Sequence, residues 1–156
     1  MSRLRVVRLL PVLALFSATL IHAQAVGKSA IVISPQQVES ILKQRLPGTA
    51  EETGGGLFDG NDFRIGALKR KFPGEVEIHQ KDTDIMYILS GRATLITGGD
   101  VVSRRAISTA EVRGTAIRNG TRHALMPGDV VVIPKQQAHW FQDVAGEVSY
   151  IVIKVQ

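Results

Sequence analysis

From residue 63 onward, short alternating runs parted by turn residues fill the chain, the pattern of an all-β domain. Residues 75–79 follow the turn Pro73-Gly74, and the polar loop 80–83 leads into residues 84–89, which Ser90-Gly91 closes. Further strands are expected over 63–71, 92–96, 121–126, 130–133, 139–144 and 147–155. Thr97-Gly98-Gly99-Asp100, Asn119-Gly120 and Pro127-Gly128-Asp129 supply turns between them. Residues 101–119 are less regular and hold one or two short strands around Glu111-Val112-Arg113-Gly114. In the last run Ser149, Ile151, Ile153 and Val155 take one face, and Val148, Tyr150 and Val152 the other. A strand apolar on both faces is expected to be sandwiched or covered by a second subunit.

One helix precedes the strands. Ser34 suits a cap, Pro35 the first helical position and Gln37 the far corner of a capping box. Val38, Ile41 and Leu42 recur at helical spacing and Leu46-Pro47-Gly48 is a stop, so a short helix over about 35–45 should pack on the flank of the sheet. Residues 30–33 are apolar enough to add as an edge strand. Residues 49–56 end in three glycines and read as a flexible connector.

The first residues follow a different pattern. Arg3, Arg5 and Arg8 precede an apolar run over 9–21, and Ala23-Gln24-Ala25 is a small-x-small sequence. This is the layout of a secretory signal cut after Ala25; the run is short for a membrane span. The expected division is a signal peptide over 1–25, an arm with the helix and glycine-rich connector over 26–56, and a β-barrel domain over 57–156. The location expected is periplasmic or secreted, with no membrane attachment once the signal is cut.

That division changes the charge picture. Three of the nineteen Lys and Arg lie in the first 25 residues, leaving sixteen against fourteen Asp and Glu, so the net charge drops from +5 to about +2. With no basic stripe and few aromatics for stacking, nothing points to nucleic acid. There is no cysteine, so no disulfide and no thiol nucleophile.

The candidate chemistry lies in two stretches. Glu77 and His79, two apart on a strand, share a face, and Asp84, Met86 and Ile88 share a face of the next strand. The second stretch runs from Gly128 through Pro134 to His139, with Phe141 on the face of His139. Together the two resemble the paired motifs of the cupin superfamily. Asp84 to Gly91 keeps the spacing of the first motif, with His79 at its second histidine, Glu77 in place of its first and Asp84 in place of its glutamate. Gly128, Pro134 and His139 match the second, with Gln136 where the family has glycine.

The resemblance covers roughly residues 60–155 and implies a cupin-like jelly-roll β-barrel with a short N-terminal helix and a central pocket. It implies a divalent first-row metal (Fe, Mn, Ni, Zn or Cu) held by His79, His139, Asp84 and Glu77, acting on a small organic molecule. Two histidines and one carboxylate also match the facial-triad donor set of non-haem iron. The alternative is a metal-free module that binds a sugar or other small molecule without turnover. His123, two before Leu125, is a candidate general acid or base. Met86 and Phe141 are expected to wall the pocket, and Arg113 to meet a substrate carboxylate. A homodimer is the expected assembly.

Overall fold

A computed structural model describes residues 30–44 and 52–156. The expected signal peptide and the helix stop at Leu46-Pro47-Gly48 lie outside the described residues. Among those described, no helix is long and apolar enough to cross a membrane. The capping box forms as the sequence suggests. Gln37 N–H donates to the Ser34 side chain at 3.3 Å, and Ser34 N–H donates to the Gln37 side chain at 2.8 Å. Helix α1 (Pro35–Leu42) follows and Lys43 caps its end. Residues 30–34 carry no regular structure, so the edge strand expected over 30–33 does not form; β1 takes that edge instead.

Eleven strands follow among the described residues: β1 (Glu52–Asp59), β2 (Phe63–Arg70), β3 (Val76–His79), β4 (Thr83–Thr97), β5 (Asp100–Val102) and β6 (Arg105–Ala106). Then come β7 (Glu111–Gly114), β8 (Ala116–Arg118), β9 (Thr121–Leu125), β10 (Val130–Ile133) and β11 (His139–Val155). The stretch 101–119 thus holds more strands than expected. All but β5 and β8 join one sheet, whose hydrogen-bonded order β1-β2-β11-β3-β7-β6 does not close on itself.

Three differences from the sequence pattern fall at glycines, and at Gly54 and Gly91 a side chain would collide with backbone. Gly54, Gly55 and Gly56 form no connector; they lie in β1, opposite Leu68, Ala67 and Gly66 of β2. A Cβ on Gly54 would stand 2.2 Å from the Ala67 carbonyl oxygen, and Ile41 of α1 lies 3.7 Å from where one would stand on Gly55. Bare backbone lets helix and strands close up here, and the first strand begins at residue 52. The expected pairs of strands over 84–96 and 139–155 are each one long bent strand, β4 and β11. Their pairing shifts register between Val144 and Val148, beside Gly91, where φ is +80°. Turn-forming residues there bend a continuous strand instead of ending it.

The bend lets β4 and β11 serve two facing layers. In one layer the first half of β4 pairs with β10 and with the second half of β11, which pairs on with β2. In the other, residues 93–97 of β4 pair with β9 and with the start of β11, where His139 lies opposite Glu77 of β3. Met86, Ile88, Leu95, Phe141, Val148 and Tyr150, all buried, fill the space between the layers. The outer side of the second layer packs Val76, Ile78 and Ile96 against Ile117 of the β5–β8 ribbon. As expected from their alternation, Val148, Tyr150 and Val152 point inward, while Ile151 and Ile153 are half-buried on the outer side.

Candidate metal centre

Register places the polar cluster. In the row that crosses β7, β3 and β11, Arg113 stands opposite Glu77 and Glu77 opposite His139. One step along, His79 stands opposite Glu111. Cross-strand neighbours on one face are within contact distance, so three strands supply five polar side chains to one point. These side chains open into a pocket of about 830 Å³, a size suited to a small ligand.

Glu77, His79 and His139 each offer one ligating atom, and all three atoms lie within 4.8 Å of one another. Both histidines are buried and their ring centroids are 5.2 Å apart. His79 Nδ1–H donates to Glu111 Oε2 at 2.7 Å, which turns Nε2 toward the cavity. That Nε2 is buried, with Asp84 Oδ2 at 3.3 Å and Glu77 Oε2 at 3.4 Å as ion-pair partners when the ring is protonated. His139 Nδ1–H donates to the Gln137 backbone oxygen at 3.3 Å, leaving its own Nε2 with a lone pair. Two imidazole nitrogens turned toward the cavity and an adjacent carboxylate fit a divalent transition metal once the His79 proton is displaced.

The charges around this point are balanced. Arg113 contacts Glu77 Oε1 and Glu111 Oε1, both at 2.8 Å, and the buried Arg70 lies 3.7 Å from Glu77 Oε1. Burial works against ionisation of Glu77, but His79, His139, Arg113 and Arg70 together hold its carboxyl well below the usual range. Burial works likewise against protonation of His79. Asp84 and Glu77 outweigh it and raise His79 from 6.5 to about 10. Burial lowers His139 below the ordinary imidazole range.

Of the predicted residues, Glu77, His79 and His139 come together, and Met86 and Phe141 line the pocket. Asp84 stands outside the three-residue set. Both its oxygens accept from Lys154 Nζ, at 2.8 and 2.7 Å, because Lys154 lies directly opposite it on β11. An aspartate, one methylene shorter than glutamate, stays with this neighbour. His123 is a correction: it is exposed on β9, bonded to Thr97 Oγ1 at 2.9 Å, and does not line the pocket. Of β9 only its last residue, Leu125, is buried; residues 121–124, His123 among them, are exposed. Arg113 does line the pocket, engaged by two carboxylates of the protein itself. Sequence reasoning missed the roles of Glu111, Arg70 and Lys154. The Glu-x-Arg alternation of β7 was the available signal, since it mirrors Glu-x-His on β3.

No family model matches the sequence, and no curated protein matches it. Solved structures do match in shape. A Klebsiella pneumoniae protein with a double-stranded β-helix domain aligns at TM-score 0.54 and 15% identity, over 81% of this chain and 90% of that one. The cupin domain of Cnp3 from Schizosaccharomyces pombe aligns at 0.50 and 13%, over 72% and 67%. The DMSP lyase DddQ from Ruegeria pomeroyi aligns at 0.51 and 14%, over 74% of this chain and 53% of that enzyme. With two bent strands shared by facing layers and a histidine cluster between them, the chain has the cupin fold.

Proposed function

We propose that the chain binds one divalent first-row transition metal through Glu77, His79 and His139 and acts there on a small organic molecule. The observation that carries this reading is the convergence of Glu77, His79 and His139, whose ligating atoms lie within 4.8 Å of one another at the buried end of the pocket. Two imidazoles and a carboxylate at that spacing are a donor set that suits a divalent first-row metal. When bound, such an ion supplies a Lewis acid for a substrate oxygen or lowers the pKa of water. The chain's own residues do the rest. Glu111 orients His79, Arg113 steadies Glu77, and Met86 and Phe141 wall the pocket against water. Fold likeness to a lyase does not carry its chemistry over, so the reaction type rests on the site alone.

A second reading, a metal-free binding module, has its own support. With His79 protonated, Glu77, Asp84 and Glu111 surround it with carboxylates, an arrangement complete without an ion. Calorimetric titration of Mn, Fe, Ni, Cu and Zn into chelator-treated protein decides between them. One site per chain that His139→Ala abolishes supports the first reading; no heat from any metal supports the second.

Export with cleavage after Ala25 belongs to the same proposal, and the mass of the protein recovered from its native compartment tests it. So does a homodimer across the outer side of the first layer. There Tyr87, Val130 and Val132 are 46%, 63% and 59% exposed, and large exposed apolar groups in one region mark contact surfaces. Light scattering of the purified protein tests that part.

A further inference from the structure

The pocket is charged at its Glu77–His79–His139 end, and its exposed lining includes two large apolar side chains beside Arg64 and Glu75. Phe72, between β2 and β3, and Ile107, between β6 and β7, are 53% and 57% exposed, and both line the cavity. The segments that carry them are fastened together, since Arg105 Nη2 donates to both oxygens of Glu75 at 2.7 and 2.8 Å. Each is also fastened to the sheet. Gly74 N–H donates to the Phe141 carbonyl oxygen at 3.2 Å, and Trp140 Nε1–H donates to the Gly74 oxygen at 2.8 Å. Ile107 N–H donates to the Glu111 carbonyl oxygen at 2.9 Å, so the residue that orients His79 also holds the other side of the mouth. Inward from there, Leu68, Met86, Phe141, Tyr150 and Val152 continue an apolar wall.

The cations of the pocket are already matched. Arg64 pairs with Asp82, Arg113 with Glu77 and Glu111, and Lys154 with Asp84, while Arg70 stands beside Glu77. Among the described residues that line the cavity, each cation stands beside a carboxylate of the protein, and displacing one of the buried pairs to take a phosphate or a second ligand carboxylate would strand a partly buried charge.

From this geometry we propose that the pocket takes a small amphipathic molecule. Its apolar ring or short chain is held by Phe72 and Ile107, and its compact oxygen head, with at most one negative charge, reaches the Glu77–His79–His139 end. Phosphorylated sugars are a poor match in both respects. The head-group half rests on the proposed metal; the apolar half does not.

The test is calorimetric titration of the metal-loaded full chain with benzoate, acetate and glucose 6-phosphate. Benzoate should bind about tenfold or more tighter than acetate, the order expected for burying apolar atoms in a fitted pocket. The preference should fall to within about threefold in Phe72→Ala/Ile107→Ala, and glucose 6-phosphate should bind more weakly than benzoate. Both side chains are exposed, so the variant should keep the wild-type melting temperature and metal content, which are measured alongside. Equal affinity for acetate and benzoate, no heat from benzoate, a preference that survives the double substitution, or tighter binding of glucose 6-phosphate each overturns the proposal. Failure of the metal reading looks different. The chain then loads no metal, and the same titration on metal-free protein still yields the benzoate preference if Phe72 and Ile107 work as stated.

Discussion

His79 and Glu111 stand directly opposite each other on β3 and β7, joined by an Nδ1–H to Oε2 bond of 2.7 Å. This pairing turns strand register into chemistry. It fixes which imidazole nitrogen faces the cavity, as a carboxylate behind a ligating histidine commonly does. Arg113, two residues beyond Glu111, then touches Glu111 and Glu77 together, so the two rows of the site hold each other in place.

Glu111→Ala removes the partner that orients the ring. Metal affinity is expected to fall by about 10- to 100-fold, the usual effect of losing such a support. The one-to-one stoichiometry should remain. Competition with a coloured chelator measures it, and wild-type affinity in the variant would remove Glu111 from the account.

Affinity for metal should depend on pH in one direction. Metal-free His79, raised to about 10, carries a proton throughout the neutral range, and a metal must displace it. His139, lowered by burial, holds a proton less readily and competes less. Because the competing proton becomes scarcer as pH rises, apparent affinity should climb by about tenfold per pH unit from pH 6 to 8.5. A flat profile would mean that His79 does not take part.

Asp84→Asn separates a ligand from a neighbour. The substitution leaves Lys154 facing a neutral amide and should lower stability by about 1–3 kcal/mol in urea unfolding. Metal affinity should hold or rise, since a less acidic neighbourhood weakens the hold of His79 on its proton. A tenfold loss of metal affinity would make Asp84 a ligand after all.

Much of this arrangement is visible in the sequence. The period-two alternation of residues 75–79 and 84–89 places Glu77, His79 and Met86 inward, and Gly128, Pro134 and His139 locate the second histidine. Less visible is anything that depends on which strands become neighbours. Glu111 and Lys154 lie 32 residues from His79 and 70 from Asp84, and only register brings each pair together. His123 fails differently: it shares the alternation of the buried Leu125, but burial on β9 begins only at Leu125 and His123 stays exposed. Glycines misled in a third way. Ser90-Gly91 has the composition of a turn, and the structure uses it to bend one strand between two layers.

Gly91→Ala tests that last point. A Cβ there would lie 1.8 Å from the Glu147 carbonyl oxygen, at a φ of +80° that alanine rarely adopts. The expected loss is about 2 kcal/mol or more, read from urea unfolding. A variant as stable as the wild type would show that β4 does not need this bend.

Elemental analysis of protein recovered from its native compartment tests the central claim most directly. The account predicts close to one equivalent of Fe, Mn, Ni, Cu or Zn per chain in the wild type, and next to none in folded His79→Ala or His139→Ala. A folded wild-type protein without transition metal, or histidine variants that keep the full complement, would contradict it.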